Sequence, residues 1–254
     1  MNEWWSLDGQ YAFKVLAEPS GKNPGRASLV NYDISENITA LKIPNTVTSA
    51  VNKKYSVYSI GEDCFSNNEF FYSVTIPKSC VYIESNAFGS SYIEKVVFEK
   101  GSNLKQIGEL AFSDTELTSI TIPKSVERID VEAFSSSNLT KITFESGSKL
   151  KFIGGWAFDE CDLGNVYLPN NNITFDTADS ENGSAFGTGD KTIYTANKAT
   201  YQRMLSELQN EDFYEEVDYK AVYTGPYKIT YMIPKTVGSK TYNKVEQTNP
   251  VSYT

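Results

Sequence analysis

Any chemistry in this chain has to come from 32 acidic side chains, 23 lysines and arginines, three cysteines and its hydroxyls, because its 254 residues include no histidine. That absence removes Ser-His-Asp and Cys-His catalysis, imidazole metal ligation and a histidine pH switch together. A glycosidase needs two carboxyl groups held at a set separation across a cleft, and no spacing in the chain announces such a pair. Cys64, Cys80 and Cys161 are odd in number and unevenly placed, so they define no disulfide framework. Asp176, Asp179, Glu181, Asn182 and Asp190 offer oxygen ligands for Ca²⁺ in a Gly-rich stretch. They lack the alternation of an EF-hand loop, and a solvated loop is the simpler reading. No catalytic residue, metal site or cofactor is expected.

Composition narrows the partners. A formal net charge of −9 works against phosphate backbones and anionic lipid, which attract clustered Lys and Arg, so nucleic acid is not an expected partner. Hydrophobic residues make up 40% of the chain, enough for a folded core. No apolar run approaches the roughly 20 residues that cross a bilayer. The start, Met1 to Trp5, lacks the regions of a signal peptide, though one removed by processing would leave no trace. Trp4 and Trp5 are read as part of an N-terminal cap, and Trp156 as half-buried packing, with sugar stacking the alternative.

The elements that must position any site are repeats. Five times an Ile is followed by three variable positions, a small residue and Phe: Ile60–Phe65, Ile83–Phe88, Ile107–Phe112, Ile129–Phe134 and Ile153–Phe158. Units of 22 to 24 residues are too small to bury their own apolar face and must stack on one another. Five short β-rich runs, each ending before a Pro or Glu, alternate with period two, so Val74, Ile76, Val96, Phe98, Ile120, Ile122, Ile142, Phe144, Val166 and Leu168 point inward. One parallel sheet with one strand per repeat is expected, followed by a helical or 3₁₀ turn at the Phe motif. Cys64 takes the place of Ala87, Ala111, Ala133 and Ala157, and Cys80 that of Val126, so both read as small buried residues; Cys161 reads as a turn-lining thiol.

Phe88 to Phe134 and Phe112 to Phe158 both span 46 residues, because units with Ile-Pro-Lys-Ser (76–79, 122–125) alternate with units carrying Phe-Glu-x-Gly-Ser (98–102, 144–148). Lys95, Glu99, Lys141 and Glu145 then form charged bands, read as solvated charges. The outward positions Thr75, Val97, Thr121, Thr143 and Tyr167, with Lys95 and Lys141 beside them, form a flat platform and the expected ligand-binding surface. Ordinary exposed β-surface is the alternative.

Ile-Gly-x-x-Ala-Phe (107–112, 153–158) joined to Leu-Thr-Ser-Ile-Thr-Ile-Pro-Lys-Ser-Val (117–126) closely resembles the BspA-like, or treponemal-type, leucine-rich repeat family over residues 38–195, the weakest copy ending at Ala185-Phe186. The family's usual Cys after Ala-Phe is present only as Cys161. The resemblance implies a non-enzymatic bacterial surface or secreted protein, extracellular in location. Some relatives of this kind bind host matrix proteins such as fibronectin or fibrinogen, and none has catalytic residues to carry over. The expected partner is thus an extracellular protein or a surface glycan, met by a monomer. A structural stalk presenting a downstream module and a carbohydrate-binding module are the alternatives. Aromatic residues and carboxylates converging on one groove would mark the latter.

The ends read as caps: an N-terminal β-hairpin cap in residues 1–37 from Tyr11–Leu16 and Arg26–Asp33, and a C-terminal cap in 196–226 whose short helix is N-capped by Asn197 and aligns Tyr201, Met204, Leu205 and Leu208. Residues 227–254, with Tyr227–Tyr231 and Asn249–Thr254, resemble the opening of a Listeria–Bacteroides repeat, which implies a longer parent protein; a tail lying along the array is the other reading.

Overall fold

The computed structural model describes residues 3–33, 38–175, 184–187, 191–209, 219–224, 230–237 and 240–247. The calcium candidates Asp176, Asp179, Glu181, Asn182 and Asp190, and the segment 249–254, lie outside them.

Strands β1 (Glu3–Trp5), β2 (Tyr11–Ala17) and β3 (Gly25–Tyr32) pair antiparallel in that order, giving the expected hairpin one further edge strand. Next come β4 (Ala40–Lys42), β5 (Thr46–Thr48) and β6 (Lys54–Ile60); β3 lies parallel to β6, so the cap's hydrogen bonds run on into the array. Each coil then contributes two strands, not one: β7 (Ser73–Ile76) and β8 (Tyr82–Ile83), β9 (Lys95–Phe98) and β10 (Gln106–Ile107), β11 (Ser119–Ile122) and β12 (Arg128–Ile129), β13 (Lys141–Phe144) and β14 (Phe152–Ile153), β15 (Asn165–Tyr167) and β16 (Thr174–Phe175). The last coil holds β17 (Lys191–Thr195) and α1 (Lys198–Gln209), followed by β18 (Tyr219–Tyr223), β19 (Thr230–Val237) and β20 (Lys240–Gln247).

The longer strands stack in parallel as β4–β7–β9, β11–β13 and β15–β17–β18, with Val74 facing Val96 and Ile120 facing Ile142 in register. The short ones form a second parallel sheet, β6–β8–β10–β12–β14–β16, which aligns Ile60, Ile83, Ile107, Ile129, Ile153 and Phe175. Hairpin β19–β20 extends the sheet beyond β18 antiparallel. Burial follows the expected period-two alternation on β7 and β11, while Phe98 and Phe144 are half-buried at their strand ends.

The Phe motif is not helical. Residues two before and two after each Phe adopt left-handed φ: Asp63 and Asn67, Asn86 and Ser90, Leu110 and Asp114, Glu132 and Ser136, Trp156 and Glu160. In the second coil Asn86, Phe88 and Ser90 donate their backbone N–H to Glu109, Ala111 and Ser113 of the next coil, and the pattern recurs along the array. A helix would spend those donors within its own turn; here they tie one coil to the next, satisfying backbone groups that stacking would otherwise bury.

That ladder sets the core spacing. Phe65, Phe88, Phe112, Phe134, Phe158 and Phe186 stack in one file with centroids 5.1 to 5.6 Å apart and rings within 14° of parallel. Three residues on, Ser91, Thr115 and Ser137 turn inward and donate to the carbonyls of Phe88, Phe112 and Phe134, and the Cys161 thiol donates to the Phe134 carbonyl. Cys64 and Cys80 are buried as their repeat positions require. At the C-terminal end Asn197 accepts from the Thr200 N–H and caps α1, whose Tyr201 and Met204 are buried against the last coil. The Leu208 side chain lies outside the described residues.

Candidate functional site

The platform residues come together as one outward row on the longer strands. Thr75 faces Val97 in register, Thr121 faces Thr143 with their hydroxyls 2.8 Å apart, and Tyr167 faces Tyr194. β9 lies beside β11 and β13 beside β15 without strand pairing, so the row crosses three hydrogen-bonded groups of strands. Thr121, Lys95 and Lys141 are exposed, Val97 is 37% and Tyr167 63% exposed, and Thr75 and Thr143 are half-buried. Among the described residues neither lysine forms an ion pair, since the pairs formed are Lys53–Glu18, Arg128–Asp130 and the string Lys105–Glu127–Lys151.

The charged bands split. Glu99 and Glu145 are not free solvated charges: Glu99 accepts from the Lys78 backbone N–H and the Asn45 amide, and Glu145 accepts from the Lys124 backbone N–H. Each glutamate thus caps the Pro-Lys-Ser turn of the coil before it, which is why the two kinds of unit alternate. The Asn45 amide, the largest influence, and the Lys78 N–H hold the Glu99 carboxyl below the usual carboxylate range.

Three features had little signal in the sequence. Tyr194 stacks on Tyr167 with centroids 4.6 Å apart and rings 14° from parallel, but the polar insertion between them disguises its place in the repeat. The outer face of the second sheet carries Tyr58, Tyr82, Gln106, Arg128 and Phe152, where Arg26 lies over Tyr58 at 4.8 Å and Arg128 over Phe152 at 3.7 Å. There each of these cations has an anion or a ring as partner, and hydrogen bonds from Lys151 and Lys105 pull the Glu127 carboxyl down to about 2. Lys191, at the start of β17, is buried and donates its ammonium to the carbonyls of Phe158 and Phe186, while burial lowers its proton affinity.

No group of three or more acidic or cysteine side chains is placed to hold a metal ion among the described residues, and none of their helices is long and apolar enough to cross a membrane. Burial pushes the Cys80 thiol up to about 12 and raises those of Cys64 and Cys161, so none is poised as a nucleophile.

Two faces of parallel strands with one strand each per coil, a file of stacked rings between them and an outer row of side chains define a leucine-rich repeat solenoid, in which each unit stacks on its neighbours. Six copies of the BspA type leucine rich repeat region match residues 31–147 and 58–180, and the chain belongs to that family. The pneumococcal vaccine antigen PcpA shares the fold with a TM-score of 0.65 at 26% identity, over 79% of this chain and 51% of that one, so the chain spans about half the antigen's length. A leucine-rich repeat protein from Bacteroides capillosus is 34% identical over 54% of this chain and 96% of its own, with a TM-score of 0.46. A leucine-rich cell surface protein from Faecalibacterium prausnitzii is 22% identical over 78% of this chain and 55% of its own, with a TM-score of 0.49. No curated protein matches the chain.

Proposed function

We propose that this chain is a non-enzymatic interaction module, displayed on a cell surface or secreted, that binds an extracellular partner through the outward row of its longer strands. The observation that carries the reading is the contrast between the two outer faces. On the second sheet the exposed charges and rings satisfy one another, whereas Lys95 and Lys141 stand beside the row without ionic partners among the described residues, flanking exposed Val97 and Tyr167. Membership of a repeat family and likeness to a pneumococcal vaccine antigen support surface display. A row of side chains in register spreads binding over many small contacts, and its aromatic member is the natural anchor.

The test is binding of the purified chain to immobilised host matrix proteins, fibronectin and fibrinogen among them, beside the double variant Thr121→Glu plus Tyr167→Glu. Saturable binding that the double variant weakens by about tenfold or more, with an unchanged melting temperature, supports the reading. Binding that survives both substitutions moves the partner to another face, and no binding by the wild-type chain favours a stalk.

A further inference from the structure

The 46-residue pair repeat supplies its own control for one part of the row. An open cleft of about 410 Å³ is lined by Phe144, Glu145, Ser146, Tyr167, Pro169 and Asn170, with Gly147, Ser148 and Asn171 closing it. One pair earlier, 46 residues back, the same positions hold Phe98, Glu99, Lys100, Thr121, Pro123 and Lys124. The scaffold residues Phe, Glu and Pro are kept. What changes is chemistry: two lysines become Ser146 and Asn170, and Thr121 becomes Tyr167. The strand neighbour changes with it, because the hydrogen-bonded pair Thr121–Thr143 is replaced by the stacked pair Tyr167–Tyr194.

Tyr194 takes one face of the Tyr167 ring, on the side of β17. The cleft residues Phe144 to Ser148 belong to β13 and the turn after it, on the opposite side of β15. The ring is therefore braced from behind and turned to the cleft, with more than half of its residue's surface, 63%, open to solvent. A braced aromatic face offers flat apolar contact at little entropic cost. Around it stand a carboxylate, an amide and hydroxyls, and the lysines of the earlier pair have no counterpart among the lining residues. Such a site disfavours an anionic ligand and an apolar helix alike, and suits a neutral molecule with one apolar face and a rim of hydroxyls.

We propose that the cleft beside Tyr167 is a binding subsite for a neutral carbohydrate, with a pyranose ring lying on Tyr167 and its hydroxyls reaching Glu145, Ser146 and Asn170. The inference rests on the reading of this row as the binding face and names the ligand class of its C-terminal end. Glu145 keeps its structural bond to the Lys124 N–H through one oxygen, leaving the other to accept from a hydroxyl.

The experiment titrates the full chain with neutral oligosaccharides, namely cellotetraose, maltotetraose and N-acetyllactosamine, and with sialyllactose and a heparin tetrasaccharide, followed by saturation-transfer NMR and tyrosine fluorescence. At least one neutral sugar should bind saturably. Tyr167→Ala should weaken it by about tenfold or more, and Tyr167→Phe by no more than about twofold, because the ring is kept. Ser146→Lys plus Asn170→Lys, which restores the earlier pair's cations, should also lose binding, while Lys22→Ala, in the exposed turn between β2 and β3, should not. Melting temperatures within a degree or two of wild type would exclude misfolding at these exposed sites. The proposal is overturned if no neutral sugar binds, if Tyr167→Ala binds as wild type does, or if the charged sugars bind more tightly. Loss of matrix-protein binding in the double glutamate variant without any sugar binding would overturn this inference alone and leave the proposed function standing.

Discussion

Glu132 shows how much a single position can carry. It is a half-buried glutamate in left-handed backbone at φ 52°, a conformation that costs a residue with a Cβ about 1 kcal/mol and that asparagine tolerates better. Burial raises its carboxyl above the ordinary value of 4.5, and repulsion from Glu109 and Asp159 adds to this. A raised folded-state value favours the fold fully below 4.5, and that contribution is lost as pH rises through the raised value. Glu132→Asn should therefore stabilise the protein by about 1 kcal/mol at pH 7, with the advantage narrowing towards pH 4. Urea unfolding at both pH values measures this, and a variant no more stable than wild type at pH 7 would refute it. The inward Phe file and the burial of Cys64 and Cys80 were legible from the repeat, because a volume demand recurs at a fixed spacing. The left-handed positions were not, because Leu110, Glu132 and Trp156 are not turn-forming residue types and their N–H groups bond to a neighbouring coil.

At the scale of the strands and turns, the same distinction decides what could be read. Strand β11 alternates over four residues and announces itself, whereas β12 holds only Arg128 and Ile129, too few to show a period, so the second sheet emerges only when coils stack. Glu99 read as a solvated charge because its acceptors' partners, the Lys78 N–H and the Asn45 amide, lie 21 and 54 residues away in sequence. In the candidate site Tyr167 was legible and Tyr194 was not, since the insertion before β17 breaks the period that would have aligned them. The capping role makes a prediction of its own. Glu99→Ala leaves the Lys78 N–H without its carboxylate and should cost about 1 kcal/mol at pH 7, a figure kept small by solvent exposure. Because the Glu99 carboxyl is held below its ordinary 4.5, its contribution is present above that value and lost as pH falls through the lowered one. The gap between variant and wild type should accordingly close in acid, and a gap independent of pH would point to lost packing instead.

For the whole molecule the unit of construction is the pair of coils, and that can be tested by removing one. Excision of residues 101–146 joins Lys100 to Gly147 and deletes one 46-residue pair, so Phe88 is followed by Phe158 at the ordinary spacing of 24 positions and every glutamate cap keeps its Pro-Lys-Ser partner. Excision of 99–122 removes a single coil of 24 residues, yet it discards Glu99, leaves the Lys78 N–H uncapped and brings two Pro-Lys-Ser turns onto adjacent coils. In a solenoid whose stability is a sum of coil and interface terms, losing fewer coils should cost less if all interfaces are equivalent. They are not equivalent here, because the Lys78 and Lys124 N–H groups of one kind of coil are capped by the Glu99 and Glu145 carboxylates of the other kind. The longer deletion should therefore unfold in one cooperative transition at a higher temperature than the shorter one, as followed by circular dichroism. The reverse order would mean that the Phe file and the two sheets alone hold the array, and that the alternation of coils is decoration on a repeat of one.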